Sequence, residues 1–161
     1  MDGYSVPDAE KRRLAEAWLA AHYHACAGPA HWPLRIGAPA PALEAAWPAR
    51  SYLLITAWNP PGQRRSDVDN RAADARLRRR LDDAGRACIR ASADDGAGGW
   101  REPGWLVADL HADEADHWAR EFEQGGVLFW FAGAPVTLRL QWTRPADAPD
   151  STAIAWVGGC A

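Results

Sequence analysis

Three side-chain amides and one carboxylate have the residue types that orient a small polar ligand. They are Asn59, Asn70, Gln124 and Glu102. An amide donates and accepts hydrogen bonds in fixed directions, and a carboxylate accepts them or transfers a proton. These residues lie between positions 59 and 124, so they form a site only if the fold gathers them.

Two further residues lie close to these four along the chain, which gives a predicted ligand-binding set of Thr56, Asn59, Asn70, Arg71, Glu102 and Gln124. Glu102 is also the candidate catalytic residue. We expect it to pair with Arg71 or Arg101, which would lower its pKa and keep it ionised. A structural role remains open, because Asn and Gln side chains often satisfy loop backbone groups and buried polar networks often hold loops together.

Hydrophobic periodicity predicts the elements that position these residues. Asn70 extends the apolar stripe of a helix that begins at Ser66 and stops before Gly85, so its amide is expected to point inward. The predicted elements are a strand Tyr52–Trp58, a helix Ser66–Ala84, strands Cys88–Ser92 and Pro103–Leu110, a helix Asp113–Gln124, a hairpin of Val127–Phe131 with Val136–Trp142, and a short strand Ala153–Val157.

The order β-α-β-β-α-β, followed by another strand, predicts an α+β fold of the ferredoxin-like type. This is a split β-α-β sandwich with an antiparallel sheet and two helices on one face. In that topology the end of the first strand, the start of the first helix, the start of the third strand and the end of the second helix meet at one edge. The alternative is another α+β topology that recruits a strand near Leu34 into the sheet.

An amphipathic helix is predicted to open the chain and to end at Gly28–Pro29. We therefore expect one domain over 1–161, with an N-terminal helical extension (1–29), a core (30–132) and a C-terminal strand and tail (133–161). The absence of a signal-peptide pattern or a long apolar segment, together with three cysteines lacking CxxC spacing, favours a cytoplasmic protein with reduced thiols and no membrane contact.

Composition and motifs narrow the function classes. The chain is tryptophan-rich, with ten Trp, and has a net charge of −3. No cofactor motif is present, and His22, Cys26 and His31 lack the paired spacing of a zinc site, so no cofactor or metal is predicted. The Arg-rich helix 66–84 also carries several Asp residues, which disfavours nucleic acid.

The function favoured by these residues is a non-catalytic binding or regulatory module, because no nucleophile–base pair is recognisable. Its partner would be a small polar ligand or a loop of another protein. The alternative is a small hydrolase-like enzyme with Glu102 as general acid or base, and a second alternative is a nucleic-acid-binding protein that uses helix 66–84.

Four segments resemble the bacterial family called domain of unknown function 3293 over roughly residues 30–132. They are Leu53-Leu54-Ile55-Thr56-Ala57-Trp58-Asn59-Pro60, Asn70, Trp100-Arg101-Glu102-Pro103 and Ala119-Arg120-Glu121-Phe122-Glu123-Gln124. That family has no assigned activity to carry over. The resemblance implies that the signature positions are Thr56, Asn59, Pro60, Asn70, Glu102 and Gln124.

Overall fold

In the part of the chain that the structure describes, one sheet of eight strands forms the framework, and it carries helices on both faces. The computed structural model describes residues 5–61, 63–148 and 150–159. Its elements, in chain order, are α1 (Asp8–Ala20), β1 (His22–Ala27), β2 (Ala30–Leu34), α2 (Pro41–Ala46), β3 (Ser51–Ile55), α3 (Asp67–Asp83), β4 (Cys88–Asp94), β5 (Arg101–Ala108), α4 (Ala112–Glu121), β6 (Gly126–Phe131), β7 (Thr137–Leu140) and β8 (Ile154–Trp156).

The strands follow the spatial order β2-β1-β4-β5-β3-β6-β7-β8. Neighbouring strands are antiparallel except β7 and β8, which are parallel. Strand β3 lies between β5 and β6, and all of its residues are buried. A strand covered on both faces requires a continuous apolar run, which explains why this segment gave the clearest strand signal in the sequence.

The two faces of the sheet have separate apolar cores, because successive side chains of a strand point to opposite faces. Leu53 of β3 packs with Leu77 of α3 and Trp118 of α4. Leu54, the next residue of β3, belongs to the opposite core, which includes Ala15 of α1. Helices α3 and α4 therefore cover one face, and α1 and α2 cover the other.

Helix α3 begins and ends where the sequence predicts. Ser66 is its N-cap, and the Ser66 hydroxyl accepts a hydrogen bond from the Asp69 amide at 3.1 Å. Gly85 follows the C-cap with φ +65°, and the Arg86 amide donates to the Leu81 carbonyl at 2.9 Å. This is a Schellman ending, in which glycine adopts the left-handed conformation without a steric cost.

Helix α4 is shorter than predicted, because it ends at Glu121 and not at Gln124. Glu123 adopts φ 55°, and the Gln124 amide donates to the Ala119 carbonyl at 2.8 Å. The left-handed conformation of Glu123 and the hydrogen bond from Gln124 form a Schellman ending, like the one at the end of α3. Gln124 therefore lies just beyond the helix, where its side chain turns towards the loop that follows β3.

The predicted N-terminal helix is too long, because α1 ends at Ala20 and the chain continues as β1. In β1, Tyr23 and Ala25 are buried while their neighbours are more exposed, which is the period of a strand. Gly28 has φ +54° and lies in the turn between β1 and β2, so Gly28–Pro29 turns a hairpin and does not end a helix.

The α+β class is confirmed, and the sheet is larger than predicted. Strands β1 and β2 extend it beyond β4, and β7 and β8 extend it beyond β6. The two helices of the predicted sandwich correspond to α3 and α4, which cover one face, and α1 and α2 cover the opposite face. Within the described residues, no helix has the length and apolar character needed to span a membrane.

Candidate ligand-binding site

The loop after β3 is closed onto the first turn of α3 by two asparagines. The Asn59 side-chain oxygen accepts hydrogen bonds from the Asn70 side chain and the Arg65 amide, each at 3.0 Å. In return, the backbone amide of Asn59 donates to the Asn70 side-chain oxygen at 2.9 Å. Asn59 has φ 39°, and asparagine tolerates this left-handed conformation better than most residues.

Replacing Asn59 is expected to separate the cost of its hydrogen bonds from the cost of its backbone conformation. We expect Asn59→Ala to lower the free energy of unfolding by about 2–3 kcal/mol. The substitution removes the oxygen that accepts from the buried side-chain amide of Asn70 and from the backbone amide of Arg65. Asn59→Gly loses the same bonds but relieves the left-handed strain, so it should be about 1 kcal/mol more stable than Asn59→Ala. Urea denaturation measures both, and equal stabilities would contradict the backbone argument.

Glu102 lies near the start of β5 with its carboxylate beside this loop. The Asn59 side-chain nitrogen donates to Glu102 Oε1 at 3.3 Å. Among the described residues, no basic side chain lies within 4.0 Å of the carboxylate. Burial removes water from the charged form and raises the Glu102 pKa to about 7, and the hydrogen bond from Asn59 offsets only part of this effect.

The predicted ion pair of Glu102 with Arg71 or Arg101 is therefore wrong, and so is the predicted low pKa. Arg101 precedes Glu102 on the same strand, so the two side chains point to opposite faces of the sheet. Arg71 is exposed on α3, which packs against the face opposite α1. Arg101 is next to Glu102 in the sequence, and Arg71 is next to Asn70, but neither guanidinium reaches the Glu102 carboxylate.

Gln124 and Thr56 hold the backbone around the same loop. Gln124 Nε2 donates to the Trp58 carbonyl at 3.2 Å and to the Phe122 carbonyl at 3.3 Å. Thr56 donates to the Pro103 carbonyl at 2.9 Å and accepts from the Trp58 amide at 3.0 Å. The fold thus joins Asn59, Asn70 and Glu102 by direct hydrogen bonds, and it attaches Gln124 to the residue before Asn59.

A cavity of about 670 Å³ lies beside this polar cluster (Asn59, Asn70, Glu102 and Gln124), between α1 and the sheet. Thr56, Asn59, Glu102 and Gln124 line it, whereas Asn70 and Arg71 do not. The other lining residues are Glu10, Arg13, Leu14, Ala17, Trp18, Tyr23, Leu54, Pro60, Pro61, Gln63, Arg64, Ala93, Gly99, Trp100, Gly104, Gly126, Val127, Leu128 and Leu138. Of the predicted set, therefore, four residues face a space that a ligand can occupy.

Sequence reasoning missed the part of the cavity wall formed by α1 and β1. Trp18 and Tyr23 line the cavity from these elements, and the Tyr23 hydroxyl donates to the Trp18 carbonyl at 2.7 Å. The alternation of Tyr23 and Ala25 with polar residues was the available signal for β1. This signal did not distinguish a strand from a helix, because Ala and Cys also occur in helices.

Gly104 was also missed, although it shapes the wall between Glu102 and β3. A Cβ atom at Gly104 would lie 2.5 Å from the Ile55 carbonyl oxygen. Real Cβ atoms do not approach backbone oxygens so closely, so only glycine allows β3 and β5 to keep this spacing. The glycine thereby sets the position of Thr56 relative to Glu102.

The histidines and cysteines of the N-terminal region lie on strands. His22 and Cys26 are four residues apart on β1, which is about 13 Å along a strand and too far for one ion. Within the described ranges, no group of three or more His, Cys, Asp and Glu residues is arranged to hold a metal ion. Cys26 and Cys88 are free thiols, and Cys160 lies outside the described residues.

Comparison with known proteins identifies a family and no closer relative. The search of curated proteins and the search of solved structures found no match. The family match begins at the end of β3 and ends in β6, and it contains all four residues of the polar cluster. It is shorter than the 30–132 range over which the sequence motifs indicated a resemblance. Residues 55–127 match the family described as Protein of unknown function (DUF3293), which confirms the family that the motifs indicated.

Proposed function

We propose that this chain is a small-molecule-binding protein whose ligand occupies the cavity between α1 and the sheet and contacts Glu102. The observation that carries the proposal is a partly buried carboxylate that lines a cavity of about 670 Å³. Such a group loses hydration without gaining an ion pair, which is costly for stability. A ligand that hydrogen-bonds to it recovers part of that cost.

The composition of the cavity wall also supports a small ligand. Binding sites for small molecules are concave and mostly apolar, and they carry a few polar groups that fix the ligand's orientation. Here Leu54, Leu128 and Leu138 supply apolar surface from the sheet, and Glu102 and Gln124 supply the polar groups. A cavity of this size lies within the range of known ligand sites.

A protein-observed ¹⁹F NMR screen with a matched pair of variants tests this proposal. The protein is labelled with 5-fluorotryptophan, and the ¹⁹F signals of Trp18 and Trp100, which both line the cavity, are assigned by Trp→Phe substitution. A fragment library of amines, alcohols, acids and neutral heterocycles is then titrated. We expect compounds that shift these two signals.

Ala17→Phe places a large side chain in the cavity wall from an exposed position of α1, and it should abolish these shifts. Ala9→Phe makes the same change on the same helix at an exposed position that does not line the cavity, so it should leave them intact. A library that moves neither signal, or shifts that persist in Ala17→Phe, would contradict the proposed site.

Acid–base catalysis by Glu102 is a second candidate function, and one observation favours it. The Glu102 pKa is raised to about 7 by burial, so the group exchanges protons near neutral pH. The hydrogen bond from Asn59 fixes its position. In this second proposal the ligand of the cavity is a substrate, and Glu102 transfers a proton to or from it.

The ion pairs of Arg78 and Arg80 on α3 favour a small-molecule ligand over nucleic acid as the partner of this protein. Arg78 and Arg80 form ion pairs with Asp82 and Glu121 at 2.8 and 2.7 Å. Arg90, on the neighbouring β4, pairs with Asp74 at 3.0 Å. Internal pairing reduces the positive potential that attracts phosphates. The absence of specific nucleic-acid binding therefore remains our prediction.

We also propose that the central part of the sheet is a ferredoxin-like unit within one domain of 161 residues. Strands β4, β5, β3 and β6 are consecutive in the sheet and antiparallel throughout. Helices α3 and α4 pack on one face of these strands. This arrangement supports the split β-α-β topology that the sequence predicts.

A further inference from the structure

We propose that the ligand of the cavity is an organic cation, a protonated amine on an apolar or aromatic body, whose ammonium group donates hydrogen bonds to Glu102 and Gln124. This inference rests on the proposed function and adds the chemical class of the ligand. It follows from the hydrogen-bonding groups that remain free in the cavity wall, from the charge of that wall and from its aromatic residues.

Two side-chain oxygens of residues that line the cavity have no hydrogen-bond partner among the described residues. Gln124 is buried, and Nε2 donates to the Trp58 and Phe122 carbonyls, whereas Oε1 has no hydrogen-bond partner among the described residues. Glu102 Oε1 accepts from Asn59, and Oε2 has no partner in the described part of the chain. An ammonium group, with three donors and no acceptor, matches two such oxygens.

The hydroxyl groups in the wall do not compete for these acceptors. The Tyr23 hydroxyl donates to the Trp18 carbonyl at 2.7 Å. The Thr56 hydroxyl donates to the Pro103 carbonyl at 2.9 Å. Each hydroxyl has one proton, so neither can also donate to a ligand or to Glu102. A ligand that brings acceptors alone would leave the oxygens of Glu102 and Gln124 unsatisfied.

The charges of the cavity wall also favour a cation. Glu102 has no basic partner among the described residues, so a bound ammonium would be its counterion. Arg13, at the exposed side of the cavity, is paired with Glu10 at 2.5 Å. Arg64 also lines the cavity, but its side chain is exposed and belongs to the mouth.

Aromatic side chains surround the same space. Trp18, Tyr23 and Trp100 line the cavity from α1, from β1 and from the loop before β5. The faces of aromatic rings attract cations, and Trp does so most strongly. The same rings supply apolar contact to the body of an amine. A carboxylate among aromatic residues is thus suited to an amine with a hydrophobic substituent.

Three probes that share one body and differ in charge test the inference. 2-Phenylethylamine, 2-phenylethanol and 3-phenylpropanoate are titrated into the fluorotryptophan-labelled protein at pH 7.5, with Trp18 and Trp100 as reporters. We expect the amine to bind at least tenfold more tightly than the alcohol, and the carboxylate to bind more weakly than either.

Glu102→Gln removes the charge with little change of shape, and it should lower the amine affinity at least tenfold while leaving the alcohol affinity within about twofold. Glu16→Gln, on an exposed face of α1 away from the cavity, is the matched control and should change neither affinity. Retention of the amine preference in Glu102→Gln would overturn the assignment of Glu102 as the ammonium partner.

The remaining outcomes separate this inference from the proposed function. Equal binding of amine and alcohol at the Trp18 and Trp100 signals would overturn the cationic class and retain the cavity as a binding site. Tighter binding of the carboxylate would overturn the cationic class and point to Arg64. A lack of response to all three probes would also overturn the amine inference, whereas the broad library decides separately whether the cavity binds small molecules.

Discussion

The Glu102→Gln variant is expected to be more stable than the wild type at pH 8 and equally stable at pH 4. The folded-state pKa of Glu102 is raised from 4.5 to about 7, so the folded protein holds this proton more tightly than the unfolded chain does. Below pH 4.5 the group is neutral in both states and the shift has no effect. Between pH 4.5 and 7 the unfolded state loses the proton first, so the stability of the wild type falls as pH rises.

The expected difference at pH 8 is about 1–3 kcal/mol in the free energy of unfolding, allowing for the water that reaches the carboxyl group from the cavity. A neutral glutamine keeps an oxygen that accepts from Asn59 and requires no ionisation inside the protein. The ionisable groups around Glu102 are Tyr23 on β1 and, at the cavity mouth, Arg13, Glu10 and Arg64. All of them are retained in the variant, so the difference reports on Glu102.

Urea denaturation of both proteins between pH 4 and 8 measures this effect, and Glu16→Gln serves as the matched control on an exposed helix face. A stability difference between Glu102→Gln and the wild type that does not change with pH would contradict the raised pKa. Carbon-13 NMR titration of Glu102 gives the midpoint directly. A midpoint near 7 would support the second proposal, proton transfer by Glu102, and a midpoint near 4 would remove its physical basis.

Replacement of Trp118 or Phe122 by alanine is expected to lower the free energy of unfolding by about 3–5 kcal/mol in each case. Trp118 is only 6% exposed and Phe122 only 2% exposed, and both belong to the core between the sheet and helices α3 and α4. Each change removes a large ring and leaves a cavity that this closely packed core fills only in part.

Thermal and urea denaturation test this expectation, with His117→Ala as the control on the same helix. The His117 side chain is 66% exposed, so its removal should change stability by no more than about 0.5 kcal/mol. If Trp118→Ala and Phe122→Ala unfold like the control, the inner face of α4 does not carry the stability that its burial indicates.

The sequence by itself determined the elements whose signals are local. The apolar run of β3, the capping serine before α3 and the glycine after it depend on neighbouring residues, so their position in the chain was readable without the fold. The gathering of Asn59, Asn70 and Glu102 was also predictable, because it follows from the order of strands and helices and requires no knowledge of packing. The family match over residues 55–127 covers this same part of the chain.

The tertiary structure alone decided the environment of that polar cluster. Residues 22–27 form a strand because Tyr23 and Ala25 pack into the core beside β4, and a segment compatible with a helix takes whichever form buries its apolar side chains. The pKa of Glu102 depends on which face of β5 it occupies and on the positions of Arg71 and Arg101, which do not reach that face. Desolvation and ion pairing act through space over a few ångströms, and no pattern along the sequence specifies those distances.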